Sequence, residues 1–138
     1  MADGKLKVLL VDDEEAITSI FTQALQTGGF EVVTAPTGND GLNKAKSEKP
    51  NIILLDQILP DINGNEILHT LKQDPATKDI PIAIVSNFTQ DTMIQDAINN
   101  GAVDYLMKYQ ISSEDLVTKV NQIIKEHGKT PWYFLLNT

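Results

Sequence analysis

Ile52-Ile53-Leu54-Leu55-Asp56-Gln57-Ile58-Leu59-Pro60 sets four consecutive branched aliphatic residues against a carboxylate. A run of four apolar residues with no polar alternation suits a strand covered on both faces, which is the environment of a parallel sheet packed between helices. Working outward, residues 6–11 (Leu-Lys-Val-Leu-Leu-Val) and 82–85 (Ile-Ala-Ile-Val) repeat the pattern, residues 102–107 form a weaker version, and Phe30 to Ala35 a further one at the edge. Between these runs the apolar residues change to helical spacing: Ile17, Ile20, Phe21, Ala24 and Leu25; Leu42 and Ala45; Ile67, Leu68 and Leu71; Met93, Ile94, Ala97 and Ile98; Leu116, Val120, Ile123 and Ile124. Strands separated by helical crossovers run parallel, and right-handed crossovers place helices on both faces. The expectation is a doubly wound α/β fold with a five-stranded parallel sheet and five helices.

Punctuation agrees. Thr37-Gly-Asn-Asp40 and Ser112-Ser-Glu-Asp115 read as capping-box starts, and Asn63 with Glu66 as a looser one. Gly28-Gly29, Asn100-Gly101 and Gly128 stand where helices should stop, while Asp74-Pro75 and Pro81 frame a turn before the fourth strand. The 138 residues suit one domain, and 11 Lys+Arg against 19 Asp+Glu give a net charge of −8. An acidic surface repels phosphate backbones, and no basic cluster interleaved with aromatics counters it, so direct nucleic-acid binding is not expected. There is no cysteine, hence no disulfide or thiolate metal site. Neither a secretory leader pattern nor a run of about 20 apolar residues occurs, which predicts a soluble, cytoplasmic protein with no membrane role.

The chemistry lies in what ends each strand. The first apolar run meets Asp12-Asp13, the third Asp56, the fourth Ser86 and the fifth Lys108. In an open parallel sheet these carboxyl ends share one edge, beside the switch point where such folds bind ligands. Three carboxylates brought within a few ångströms destabilise one another's ionised forms, so a cation belongs among them. A divalent ion together with Lys108 would neutralise the three charges, and sparse carboxylates plus water suit Mg²⁺ better than Ca²⁺. His69 and His127 fall in helical segments away from this edge and offer no zinc alternative. A carboxylate beside such a metal can attack phosphorus, with a hydroxyl and an ammonium to hold the phosphoryl oxygens. Plainer readings exist for each residue singly: a helix cap for Asp12-Asp13, a turn hydroxyl for Ser86, a solvated charge for Lys108, and core or surface packing for Tyr105.

Asp12-Asp13, Asp56-Gln-Ile-Leu-Pro60-Asp-Ile-Asn-Gly64, Ser86 and Tyr105-Leu-Met-Lys108, in this order and at these strand ends, resemble the receiver domain of two-component response regulators. The resemblance spans about residues 5–127 and implies a flavodoxin-like sheet of order 2-1-3-4-5. It implies that Asp56 is the phosphoacceptor, supplied by a phosphohistidine on a sensor histidine kinase or a histidine phosphotransfer protein. Asp13, Asp56 and the backbone carbonyl of Ile58 would bind Mg²⁺ directly, and Asp12 through a water. Ser86 and Lys108 would grip the phosphoryl group, Tyr105 would turn inward on activation, and Pro60 and Gly64 would shape the loop after the acceptor. The surface near residues 89–127 would then change shape and dock a downstream protein, the chain being no enzyme beyond its own phosphorylation and dephosphorylation.

Three departures from the family pattern matter. Tyr109 stands where proline, in a cis peptide, is common; Asn87 and Phe88 follow the switch hydroxyl where small residues are common; and Ile58 and Phe88 flank the acceptor where relatives carry polar side chains. Apolar flanks predict a long-lived phospho-form, by exclusion of the hydrolytic water. Residues 128–138 form an aromatic extension, with Trp132-Tyr-Phe-Leu-Leu136, that either folds back on the domain or serves self-association through 130–138. Two other functions compete with the switch: a degenerate receiver acting as a phosphorylation-independent scaffold, and a Mg²⁺-dependent phosphohydrolase of the haloacid dehalogenase kind. The second is disfavoured because Ile58 occupies the position of that family's general acid.

Overall fold

The computed structural model describes residues 4–88 and 90–127; the aromatic extension and its self-association segment lie outside the described residues, as does Gly128. Five strand–helix units follow in strict alternation: β1 Lys7–Val11, α1 Glu15–Thr27, β2 Glu31–Ala35, α2 Gly38–Glu48, β3 Ile52–Asp56, α3 Gly64–Gln73, β4 Ile82–Ser86, α4 Asp91–Asn99, β5 Asp104–Met107 and α5 Ser113–His127. All four strand pairings are parallel and the order is β2-β1-β3-β4-β5. This is the flavodoxin-like arrangement expected from the sequence.

The strand period of two divides the core. Val8, Leu10, Ile52, Leu54, Ala83 and Val85 meet Phe21 and Leu25 of α1 and Leu116, Val120 and Ile123 of α5. Their alternate neighbours Leu9, Val11, Ile53, Leu55, Ile82 and Ile84 meet Ala45 of α2, Leu68 and Leu71 of α3 and Ala97 of α4. Because both faces are covered, β3 and β4 are buried at every position, which explains their unbroken apolar runs. No described helix is long and apolar enough to cross a membrane.

The three caps form as read: the Thr37, Asn63 and Ser112 side chains accept from the N–H groups of Asp40, Glu66 and Asp115. Gly29 and Gly101 take left-handed φ values of 95° and 103° beyond α1 and α4. Other details differ from expectation. β5 begins at Asp104 rather than 102, because the turn at Gly101 brings the Ala102 N–H back to the Ala97 carbonyl and delays strand pairing. Helix α2 ends at Glu48 and is capped by Lys49, which adopts a left-handed φ of 48° that no glycine announced. Ile20 and Ile98 share the helical spacing of their buried neighbours yet lie exposed.

Candidate metal and phosphoryl site

Asp56 is the last residue of β3 and Ser86 the last of β4, while Asp12 and Lys108 follow β1 and β5 directly. Parallel pairing therefore delivers all four to one edge of the sheet. Two backbone bonds fix the outer pair: the Asp12 N–H donates to the Ala35 carbonyl and the Lys108 N–H to the Ser86 carbonyl. Asp13 continues from Asp12 and is exposed. One carboxylate oxygen from each of Asp12, Asp13 and Asp56 falls within 4.8 Å of the others, the only such group of three metal-type ligands among the described residues.

Lys108, only 2% exposed, sits among carboxylates. Its Nζ lies 3.1 Å from Asp56 Oδ2, 3.0 Å from Asp12 Oδ2 and 2.7 Å from Glu14 Oε1. Asp12 Oδ1 accepts from the Glu14 N–H at 2.9 Å and from Lys108 at 3.2 Å, whereas the buried Oδ2 has only its ion-pair contact with Lys108. A buried carboxylate oxygen that relies on an ammonium already shared with Glu14 and Asp56, and that lies beside two further carboxylates, fits a hard divalent cation such as Mg²⁺.

The electrostatics say the same. Burial, and then the neighbouring Asp12 charge, push the Asp56 carboxyl up to about 6. Burial likewise raises Asp12. For Lys108 burial pulls the other way, but the hydrogen bonds it donates to Glu14, Asp12 and Asp56 outweigh it and hold the ammonium above its ordinary range. The site thus contains more negative charge than one lysine neutralises.

Glu14 corrects the balance of three carboxylates against one lysine and one divalent ion, because it adds a fourth carboxylate. Its other oxygen accepts a hydrogen bond from the Tyr109 hydroxyl, and Tyr109 also places its ring 6.0 Å from Lys108 Nζ. Lys108 and then Tyr109 hold the Glu14 carboxyl below its usual range. Neither residue was read as part of the site, although each adjoins one that was: Glu14 follows Asp12-Asp13 and Tyr109 follows Lys108. No described peptide bond is cis, the Lys108–Tyr109 bond included.

The remaining residues occupy the rim. Ser86 is fully buried, and its Oγ accepts from the Phe88 N–H at 3.1 Å; the Phe88 carbonyl in turn accepts from the Tyr105 hydroxyl at 2.9 Å. Ser86 and Tyr105 are thereby joined through one residue of the β4–α4 loop. The Ile58 N–H reaches Asp56 Oδ1 only at 3.5 Å, and the Ile58 side chain is 51% exposed. Pro60 lies exposed in the β3–α3 loop. Gly64 closes that loop: its N–H donates to the Gln57 carbonyl, and a Cβ there would stand 2.7 Å from the Asp56 carbonyl oxygen. His69 lines a surface depression together with Gln57 and Ile58, nearer the rim than its helical position implied, but among the described residues it joins no metal-type cluster.

Comparison with known proteins agrees with the fold. Residues 8–121 match the family model described as the response regulator receiver domain. The chain is 33% identical over 118 residues to protein PilH of Pseudomonas aeruginosa, an alignment covering 86% of this chain and 97% of that protein. It is also 33% identical to the alkaline phosphatase synthesis transcriptional regulatory protein PhoP of Bacillus subtilis, covering 86% of this chain but only 48% of the regulator, so it spans about half of that longer protein. Among solved structures, a CheY-like receiver domain protein from Methanospirillum hungatei superposes with a TM-score of 0.83 at 30% identity, over 90% of this chain and 97% of the other. A matching model over most of the sequence, the 2-1-3-4-5 sheet and the acidic edge lead to one assignment: the chain belongs to the family of response regulator receiver domains.

Proposed function

We propose that this chain, through a receiver domain over residues 5–127, is a Mg²⁺-dependent phosphorylation switch that accepts a phosphoryl group on Asp56. The observation that carries the reading is the meeting of Asp12, Asp13 and Asp56 within 4.8 Å while Lys108 Nζ stands 3.1 Å from the Asp56 carboxylate. Asp12, Asp13, Asp56 and the Ile58 carbonyl would hold the ion, whose chemistry is to spread the charge that develops on the equatorial phosphoryl oxygens.

The donor is a phosphohistidine on a sensor histidine kinase or a histidine phosphotransfer protein. An Asp56 oxygen forms the new O–P bond as the N–P bond breaks, and the electron pair returns to the imidazole, which takes up a proton. Lys108 then pairs with one phosphoryl oxygen. Ser86 Oγ, used only as an acceptor toward Phe88, keeps its own proton to donate to another. Hydrolysis reverses the change when water attacks phosphorus and the Asp56 carboxylate leaves.

The path out of the site is short. Drawing Ser86 toward the phosphoryl group disturbs its bond from the Phe88 N–H, and the Phe88 carbonyl is what holds the Tyr105 hydroxyl. Release of that hydroxyl lets Tyr105 turn inward and alters the surface of α4, β5 and α5 (residues 89–127), where a downstream protein docks. This is a population shift whose size is set by how much better the phosphoryl group is held in one state. The setting is cytoplasmic, where the donor proteins present their phosphohistidines.

Incubation with Mg²⁺ and acetyl phosphate, read by intact mass, tests the proposal. A gain of one phosphoryl group that needs Mg²⁺ and disappears in Asp56→Asn supports the switch. Failure to gain mass points to a phosphorylation-independent scaffold, and turnover of many equivalents to a phosphohydrolase.

A further inference from the structure

Lysine has three N–H donors, and Lys108 commits them to Asp12, Glu14 and Asp56. A phosphoryl oxygen on Asp56 can gain Lys108 only if one of these partners yields. Asp12 is fixed: its carboxylate is buried and already tied to the Glu14 N–H. Asp56 is the acceptor itself. Glu14 is the partner free to leave, since its side chain is 43% exposed and can pass into water at small cost. Yet Glu14 makes the shortest contact with Lys108, at 2.7 Å, and is braced from behind by the Tyr109 hydroxyl.

We propose that Glu14, held in place by the positioning residue Tyr109, is a latch on Lys108 that competes with the incoming phosphoryl group and biases the site toward its unphosphorylated form. The inference rests on the phosphorylation switch proposed above. Charge works in the same direction: three carboxylates share one ammonium and Asp13 adds a fourth negative charge nearby, so a further anion enters more readily once Glu14 withdraws. The Tyr109 hydroxyl acts through Glu14, and Tyr109→Phe keeps the ring that stands over Lys108. Its ring is 57% exposed, so loss of the hydroxyl removes a hydrogen bond without opening a core.

The test is binding of beryllofluoride, a stable phosphoryl mimic, to the full chain at saturating Mg²⁺, followed by amide NMR. Glu14→Gln should bind it roughly three- to tenfold more tightly than wild type, and Tyr109→Phe about two- to fivefold, the range expected of a partly exposed charged pair. In the Glu14→Gln background, Tyr109→Phe should add nothing, because the hydroxyl has lost the charge it braces. The Tyr109 13Cζ resonance should also shift when wild type binds beryllofluoride, and not in Glu14→Gln. Equal or weaker binding by both single variants, or additive effects in the double variant, overturns the latch while leaving the switch intact. Failure of wild type to bind at all overturns both.

Discussion

Replacing Asp56 should make the metal-free protein more stable. In the folded chain the Asp56 carboxyl is pushed up to about 6, against an unfolded value of about 3.9. Between these values the native state binds more protons than the unfolded state, so stability falls as pH rises from about 4 to about 6 and stays low above. Two units correspond to at most about 3 kcal/mol, and we expect Asp56→Asn to recover about 1–3 kcal/mol at pH 7. The amide keeps an oxygen for Lys108 and removes one of the like charges beside Asp12, while Lys108 retains Asp12 and Glu14. For a chain of this size the gain should raise Tm by about 3–10 °C. The assay is urea and thermal denaturation with EDTA, repeated at pH 4 and pH 7. Wild type and variant should converge at the acid end, where Asp56 is protonated. Saturating Mg²⁺ should narrow the gap at pH 7 by stabilising wild type, by about 2.7 kcal/mol at a hundredfold excess over Kd. A variant no more stable than wild type at pH 7 in EDTA would refute the claim that excess buried negative charge defines this site.

Other perturbations probe separate parts of the structure. Lys108→Met leaves the buried Asp12 and Asp56 without their cation and should cost about 3–5 kcal/mol in EDTA, part of which Mg²⁺ restores; urea melts with and without the metal check it. Gly64→Ala places a methyl 2.7 Å from the Asp56 carbonyl oxygen and 2.9 Å from Gln57 Cα, so the loop must move. A loss of about 1–3 kcal/mol and weaker Mg²⁺ binding are expected, measured by denaturation and metal titration. Asp61 accepts from the N–H groups of Gly38 and Asn39, which hold its carboxyl below the ordinary range. Its contribution is therefore complete above pH 4 and disappears as pH falls through the depressed folded value, so the acid limb of a pH–stability curve should flatten in Asp61→Asn. Because Ile58 and Phe88, two residues beyond Asp56 and Ser86, are apolar, protein phosphorylated as proposed on Asp56 should persist for minutes or longer; complete hydrolysis within seconds contradicts the exclusion of water.

What the sequence determined by itself was local and periodic. Apolar runs marked β1, β3 and β4, because burial on both faces removes the need for alternation, and Asp12, Asp56, Ser86 and Lys108 were legible as the polar residues at which the apolar runs end. The caps at Thr37, Asn63 and Ser112 were readable because each bond spans three residues. The tertiary structure decided the contacts that no short window contains. Glu14 meets Lys108 across 94 residues and Tyr109 across 95, and Asp61 caps α2 from 23 residues away. Ile20 and Ile98 have the spacing of core residues, yet the turn of each helix leaves them in solvent. A residue type and its spacing state which groups require a partner; only the folded sheet, by bringing β1 and β5 to opposite sides of β3 and β4, decides which partner is within reach.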